Sequence, residues 1–391
     1  MRGTPGVPGH YMAQRLKTDW TLFFTILAMV CFGLVMVYSS SSVIAEIKFR
    51  VSGTHFILRQ SGWGVFSFVV LMWCKRSDYR RWNSPKIAFA GIGSVVLLLL
   101  IVYLTDGSTH RWLRAGMFSI QPSEFAKPAL ALFLAYFISQ RAGAVNDRYT
   151  LVPIALSISA IAFFVAIADL GTAVVLVTMT GIVMFVAGLD VRYLWMTAAL
   201  GLMLGVGFIA MKPYRLSRAI DFLDRDHRLL AKIDPNNHIL SYAKETASTS
   251  DPGYQQRQAK IAVGSGGVWG VGLMEGKQKM LYLPEAHTDF IYAVIGEETG
   301  FLGCAALLAG FGILLWRGLR LYYVAHDDFG RYLALAATAC VVTQALINIS
   351  VVLDLGPTKG IPLPLISYGG SSLLSTLLLL GMLLSVSEHA G

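Results

Sequence analysis

Long apolar stretches, each of roughly 20 residues and divided by short polar turns, dominate the chain. Ten can be placed, near residues 20–43, 55–74, 86–105, 122–139, 151–168, 171–189, 192–211, 289–316, 331–353 and 367–387. A helix crosses the roughly 30 Å of a bilayer core in about 20 residues, so the pattern predicts an all-α polytopic membrane protein with about ten transmembrane helices. The second stretch is the least apolar, carrying Arg59 and Gln60 near its start. The fifth and sixth are separated only by Asp169 and Leu170, which predicts a very tight hairpin. The first run, from Trp20 to about Val43, follows Arg15, Lys17 and Asp19. It exceeds the roughly 7–15 apolar residues of a signal-peptide core and reads as an uncleaved first span.

One segment does not fit a short turn. Residues 212–288 form a long polar loop between the seventh and eighth stretches, and loops of that length are functional or disordered. Its first half, from Asp221 to Asn237, is charged. Its second half turns glycine-rich and apolar from Ile261 to Leu273, which predicts a return to the membrane surface. No short-period repeat occurs, so residues 1–391 read as one membrane domain with 212–288 as a large extracytoplasmic loop.

Composition agrees: 55% of residues are hydrophobic and 14% charged, with a mean hydropathy of +0.59. A soluble domain carries roughly a quarter charged residues. The net charge of +9 needs no nucleic acid to explain it, because Lys and Arg collect on cytoplasmic loops and set orientation. Arg2, Arg15 and Lys17 precede the first span, and Lys75, Arg76, Arg80, Arg81 and Lys86 follow the second. Arg141, Arg148, Arg192, Arg317, Arg320 and Arg331 fall on the same side; the opposite short loops hold Lys48, Arg50, Arg111, Arg114 and Lys359. Both termini are therefore expected in the cytoplasm. Cys31, Cys74, Cys304 and Cys340 lie inside apolar runs without paired spacing, so they read as small buried hydrophobes and not as disulfides or metal ligands.

Charged groups at the edge of hydrocarbon are costly, and each is a functional candidate. Four places carry them. In the first, Thr109-His110-Arg111-Trp112-Leu113-Arg114 leads into Gln121-Pro122-Ser123-Glu124-Phe125-Ala126-Lys127. Pro122 suits the first position of a helix, which puts Glu124 and Lys127 on one face. They are either an intrahelical ion pair or, with Arg111, a cationic site for an anionic head group; Trp112 fits an interfacial anchor equally well. In the second, Asp169 of Asp169-Leu170-Gly171-Thr172 reads first as a helix cap. In the third, Glu285, His287 and Asp289 crowd against the start of an apolar helix just after Lys279. Desolvation there would raise a carboxylate pKa toward that of a general base, although Thr288 or Asp289 could simply cap the helix. In the fourth, Gly356 to Pro364 and then Ser367-Tyr368-Gly369-Gly370-Ser371-Ser372 forbid a regular helix at the lip of a span. Such backbone is tolerated where protein buries it or where it lines a cavity, and it also suits a tight loop.

Taken together, HRW, QPSE with Lys127, ADLGT, LPEAHTDF with Glu297-Glu298, and PLPLISYGGSS resemble the SEDS family (shape, elongation, division and sporulation) in order and over residues 20–387. PEAHTDF and the paired glutamates are closer to the division branch than to the elongation branch. Two positions depart: Ala168 stands where the family usually has proline, and Lys260 where a small residue is common. The resemblance implies a SEDS-type fold in the bacterial inner membrane, at the division septum, and glycosyl transfer on lipid II at the outer leaflet. It maps the family's essential aspartate onto Asp289, its loop arginine and tryptophan onto Arg111 and Trp112, and its acid–lysine pair onto Glu124 and Lys127. It also implies a class B penicillin-binding protein, a single-span transpeptidase, as partner among other division proteins.

The residues suit that chemistry. A carboxylate takes the proton of an acceptor hydroxyl as it attacks the anomeric carbon and displaces a polyprenyl diphosphate, an inverting step. Arg111 and Lys127, joined by Lys279, would neutralise the leaving group. His287 belongs with these substrate-side candidates. A divalent cation, Mg²⁺ or Mn²⁺, is compatible with the diphosphate, although no cluster has dedicated ligand spacing. Two rivals remain from the sequence: a flippase for the same lipid, since buried charges and broken helices also suit transporters, and a scaffold of the division machinery.

Overall fold

The computed structural model describes residues 18–106, 110–115, 118–141, 143–210, 253–280, 282–356 and 360–389, with positions 216 and 220. The basic residues Arg2, Arg15 and Lys17, the charged stretch Asp221 to Asn237, and Thr109 and Pro357-Thr358-Lys359 lie outside the described residues. Each of the ten apolar stretches contains a helix. They are α1 (Trp20–Ile47), α2 (His55–Arg76), α3 (Pro85–Thr105), α4 (Pro122–Ser139), α5 (Arg148–Ala168), α6 (Leu170–Val186) and α7 (Val191–Ala210). After the long loop come α9 (Ile291–Val324), α10 (Asp328–Val352) and α11 (Gly370–His389). Seven of these, α1, α2, α3, α5, α9, α10 and α11, are long and apolar enough to cross a bilayer. α6 and the apolar part of α7 are shorter, and α4 carries its charged pair inside, so length and apolarity mark seven candidate spans among the described residues.

Two elements were not legible in the hydropathy pattern. Helix α8 (Tyr254–Ser265) stands within the long loop. A two-stranded antiparallel ribbon, β1 (Leu113–Ala115) and β2 (Phe118–Ile120), pairs Leu113 with Ile120 and precedes α4, so the mostly helical chain is not purely α. Three-residue strands are too short for alternation to announce them.

Helix ends follow local chemistry. Asp19 caps α1 by accepting from the Leu22 amide at 3.0 Å, and Asp327 caps α10 through Gly330. Asp19 also binds Arg317 of α9 at 2.6 Å, while its own amide donates to Ser387 of α11, tying three helices at one end. Pro85 and Pro122 occupy first turns of α3 and α4, where a missing amide costs nothing. α10 and α11 form the centre: 78% of each apolar window is buried, against 22% for α3 and α5, which therefore stand at the lipid-facing periphery. Cys31 corrects an expectation. It is exposed on α1, on the same helical face as Phe24, Val35 and Tyr38, because that face points away from the bundle. Cys74, Cys304 and Cys340 are buried as expected.

The segment joining α10 to α11 is irregular yet enclosed: Ile361, Leu363, Leu365 and Ile366 are all buried. Several of its polar groups are answered by neighbouring elements. The Gln60 side chain donates to the Ser367 carbonyl at 3.3 Å and accepts from the Gly369 amide at 3.1 Å. This explains why a glutamine lies buried in α2. Ser367 Oγ accepts from the Leu363 amide and donates to the Thr288 carbonyl, and the Tyr368 amide donates to the His287 carbonyl. Non-helical backbone survives here because the surrounding protein supplies bonds that water otherwise would.

Candidate active site

Asp289 sits at the mouth of α9. The helix starts at Ile291 with Phe290 as its cap residue, and Phe290 makes no side-chain cap bond. The Thr288 hydroxyl turns back to Glu285. The Asp289 carbonyl accepts from Asn348 Nδ2 of α10 at 2.8 Å, and the same amide nitrogen donates to the Ile361 carbonyl at 2.6 Å. One side chain thus pins the aspartate to the irregular segment. The carboxylate lies directly against Gly360: a β-carbon there would meet Asp289 Oδ2 at 2.2 Å. Gly360→Ala must therefore push the carboxylate aside, and a shift near 1 Å at a reacting group costs about 100-fold in rate. We expect that loss in glycan synthesis with normal yield and elution of the purified protein; unchanged activity would mean that the carboxylate position is not critical.

His287 is buried between Phe56, 5.2 Å away, and Tyr368, 5.7 Å away. Its Nδ1 has no hydrogen-bond partner among the described residues. Burial lowers its pKa from the ordinary 6.5, Glu285 opposes that, and Lys48 adds to it. With the folded value below the unfolded one, the unfolded chain binds the proton first as pH falls, so stability is intact above 6.5 and declines below it. The fall in melting temperature on acidification should be shallower for His287→Phe than for the wild type. Parallel curves would remove His287 as the source.

The lysines and acids resolve into separate clusters. Lys127 and Glu124 are both buried, with Lys127 Nζ 2.8 Å from Glu124 Oε2 and 2.7 Å from Gln344 Oε1. Ser375 donates to the same Glu124 oxygen at 3.0 Å, and Gln344 Nε2 donates to the Pro362 carbonyl at 2.8 Å. This is the intrahelical ion pair, extended by α10 and α11 into a support for the segment that carries Gly360. Lys279 is likewise enclosed, bound to Glu298 at 2.6 Å and to Ser39 at 2.9 Å. Glu297 accepts from the Lys277 and Gln278 amides, so the paired glutamates clamp the strand of chain leading to Asp289. Both ammoniums are buried, and a lysine that must stay charged in a dry interior takes its partners from the protein.

Arg111 retains an open side. Its guanidinium meets Asp169 Oδ2 at 3.1 Å, and its side chain is 32% exposed. Asp169 does cap α6, through the Gly171 and Thr172 amides, and is the single residue between α5 and α6. The Arg111 and Trp112 amides both bind Asp106, and the guanidinium lies 5.9 Å from the Trp112 ring. Of the two departures, Ala168 ends α5 without disturbing this arrangement. Lys260 binds Asp354 at 2.6 Å and so fastens α8 to the far end of α10.

Sequence reasoning missed Asn348 and Gln344, which look in the sequence like ordinary polar positions one helical turn apart in an apolar run. It also missed two exposed cations on the Asp289 side, Lys48 and Arg59, whose charges reach His287 and Tyr368. Among the described residues no three His, Cys, Asp or Glu side chains gather as a metal site.

Several helices long and apolar enough to cross a bilayer, with a carboxylate held beside an irregular, enclosed segment, define a multi-pass membrane protein with one candidate site. The chain belongs to the cell cycle protein family of FtsW, RodA and SpoVE, whose model matches residues 19–391. It is 37% identical over 380 residues to the probable peptidoglycan glycosyltransferase FtsW of Geobacter sulfurreducens (strain DL-1 / KN400), covering 95% of this chain and 96% of that one. It is 36% identical to the stage V sporulation protein E of Bacillus subtilis (strain 168), covering 96% and 99%. Among solved structures it matches a chain of a peptidoglycan synthase complex that coordinates polymerization and crosslinking, with a TM-score of 0.72, 26% identity and coverage of 96% and 99%. The rod shape determining protein RodA of Thermus thermophilus matches with a TM-score of 0.65 at 25% identity, covering 95% and 97%.

Proposed function

We propose that this chain is a peptidoglycan glycosyltransferase that polymerises lipid II into glycan strands at the outer face of the inner membrane during cell division. The reading is carried by Asp289, oriented by Asn348 and pressed against Gly360, in a chain whose relatives are named for this activity. Asp289 takes the proton from the acceptor hydroxyl while the oxygen attacks the anomeric carbon; the carbon–oxygen bond to the diphosphate breaks, and the electron pair leaves with the polyprenyl diphosphate. Arg111, with the exposed Lys48 and Arg59, offers charge to that leaving group. Lys127, Glu124, Lys279 and His287 act by holding the segments around Asp289. A divalent cation, Mg²⁺ or Mn²⁺, would add positive charge against the diphosphate leaving group.

The orientation follows the basic loops, with both termini cytoplasmic and Asp289 outside, and the septum is the proposed site of action. A class B penicillin-binding protein is the proposed partner, because one matched chain belongs to a complex that also crosslinks. The test is direct: purified protein, alone and with that transpeptidase, is given labelled lipid II and Mg²⁺ or Mn²⁺, and products are resolved on a gel. Ladders of glycan polymer are expected. Consumption of no lipid II under any of these conditions, with transbilayer movement of the same lipid in liposomes, would replace the polymerase with a transporter.

A further inference from the structure

The glycine-rich turn between α8 and Asp289 has an inner side that belongs to the fold and an outer side that nothing above explains. Its inner side repairs a break in α9. Gly300 leaves the helical conformation at φ 65°, ψ −162°, freeing backbone groups on either side. The turn fills them: the Val271 and Gly272 amides donate to the Glu297 and Glu298 carbonyls, and the Phe301 and Leu302 amides donate to the Gly267 and Val268 carbonyls. A β-carbon on Gly270 would meet the Glu298 carbonyl oxygen at 2.1 Å, and one on Gly300 would meet the Gly270 nitrogen at 2.3 Å. Backbone therefore lies on backbone, and the side chains between the glycines have only the opposite direction to take.

Those side chains are Val268, Trp269 and Val271, followed by Leu273, and all are exposed, Trp269 at 81%. Exposed Phe301 and Leu302 of α9 continue the surface, since their own amides receive the turn. Depth decides what covers it. Toward the other end of α9, about two turns before its last residue Val324, Trp316 is exposed and Arg317 is paired to Asp19. From Trp316 to Phe301, the first residue after the break at Gly300, a helix rises about 22 Å at roughly 1.5 Å per residue. A bilayer core is about 30 Å thick, so the turn lies at the level where hydrocarbon gives way to head groups. Tryptophan is favoured at that level, and water is not available below it.

We propose that Val268, Trp269 and Val271 form a ridge seated among the acyl chains of the leaflet on the Asp289 side (the outer leaflet in the orientation given above). The ridge is a lipid-contact surface that anchors the far end of the long loop beside the site. Its partner is membrane lipid, read from the continuity with α9 and from depth.

The test uses Trp269→Cys in a Cys31→Ser background, which removes the exposed native thiol. The cysteine is labelled with bimane, and the protein is reconstituted alone in vesicles of phosphatidylglycerol and phosphatidylethanolamine. Phe301→Cys serves as the lipid-facing reference, and Val268→Cys replaces the 269 probe if that variant does not insert. A lipid nitroxide placed high on the acyl chain should quench the 269 probe about as strongly as the 301 probe, with iodide in the water quenching neither. Quenching of 269 by iodide and not by lipid would overturn the proposal in favour of a water-facing turn. Quenching by neither would overturn it in favour of cover by protein, whether another part of the loop or a second copy. The readout does not involve glycan synthesis, so it succeeds or fails apart from the proposed function.

Discussion

Asp289→Asn should stop glycan polymerisation while the protein remains folded in the membrane. One bond that fixes this residue runs from Asn348 to its main-chain carbonyl, which the substitution leaves in place. Asparagine has nearly the same shape as aspartate, so the contact with Gly360 survives. What is removed is the capacity to take a proton. Loss of a positioned general base costs about 100- to 10,000-fold, which falls below detection in a gel assay of polymer. The measurement compares ladders from wild type and variant at equal protein, with the partner present in both, and melting curves for each. Wild-type ladders from the variant would exclude Asp289 as the base, while a lowered melting temperature would mean that its charge supports the fold.

Lys127→Ala is expected to act on folding before it acts on chemistry. Removing the ammonium leaves Glu124 charged and enclosed, with Ser375 as its remaining partner and with Gln344 Oε1 unanswered. Breaking a buried pair from one side costs about 3–5 kcal/mol, whereas replacing both partners with apolar groups of similar volume is often neutral. The single variant should therefore accumulate poorly or melt early, and Glu124→Gln with Lys127→Met should recover much of the protein. The resemblance had pointed the other way, to a cation that meets the donor. Normal yield and melting of Lys127→Ala, combined with a raised requirement for lipid II, would restore that role. The same comparison bears on glycan synthesis, because Gln344 carries the pair's position to Pro362, two residues from Gly360.

The spans were legible because a bilayer imposes a length and a composition on every helix that crosses it, and both are written into the residues. Seven of the helices satisfy that rule without help from their neighbours. The position of Asp289, just ahead of an apolar helix, was legible too. So was the cap at Asp169, which needs only its own next turn. The paired spacing of Glu124 and Lys127 announced their ion pair, since residues three apart meet on any helix.

What a charged residue faces was not legible. Lys127 and Lys279 read as cations at an outer face and proved to be enclosed, because α10, α11 and α1 bring Gln344, Ser375 and Ser39 from hundreds of positions away. Asn348 and Gln344 carried no signal, since a polar side chain in an apolar run gains its meaning only from the carbonyls it meets. Gly360 and Gly270 looked like ordinary loop glycines until Asp289 and α9 were placed against them. The sequence by itself determined which stretches form long apolar helices and which carboxylate precedes one of them, since those depend on local composition and spacing. Tertiary structure alone decided which charges are open and which are spent on each other, because burial and pairing are properties of what packs alongside a residue.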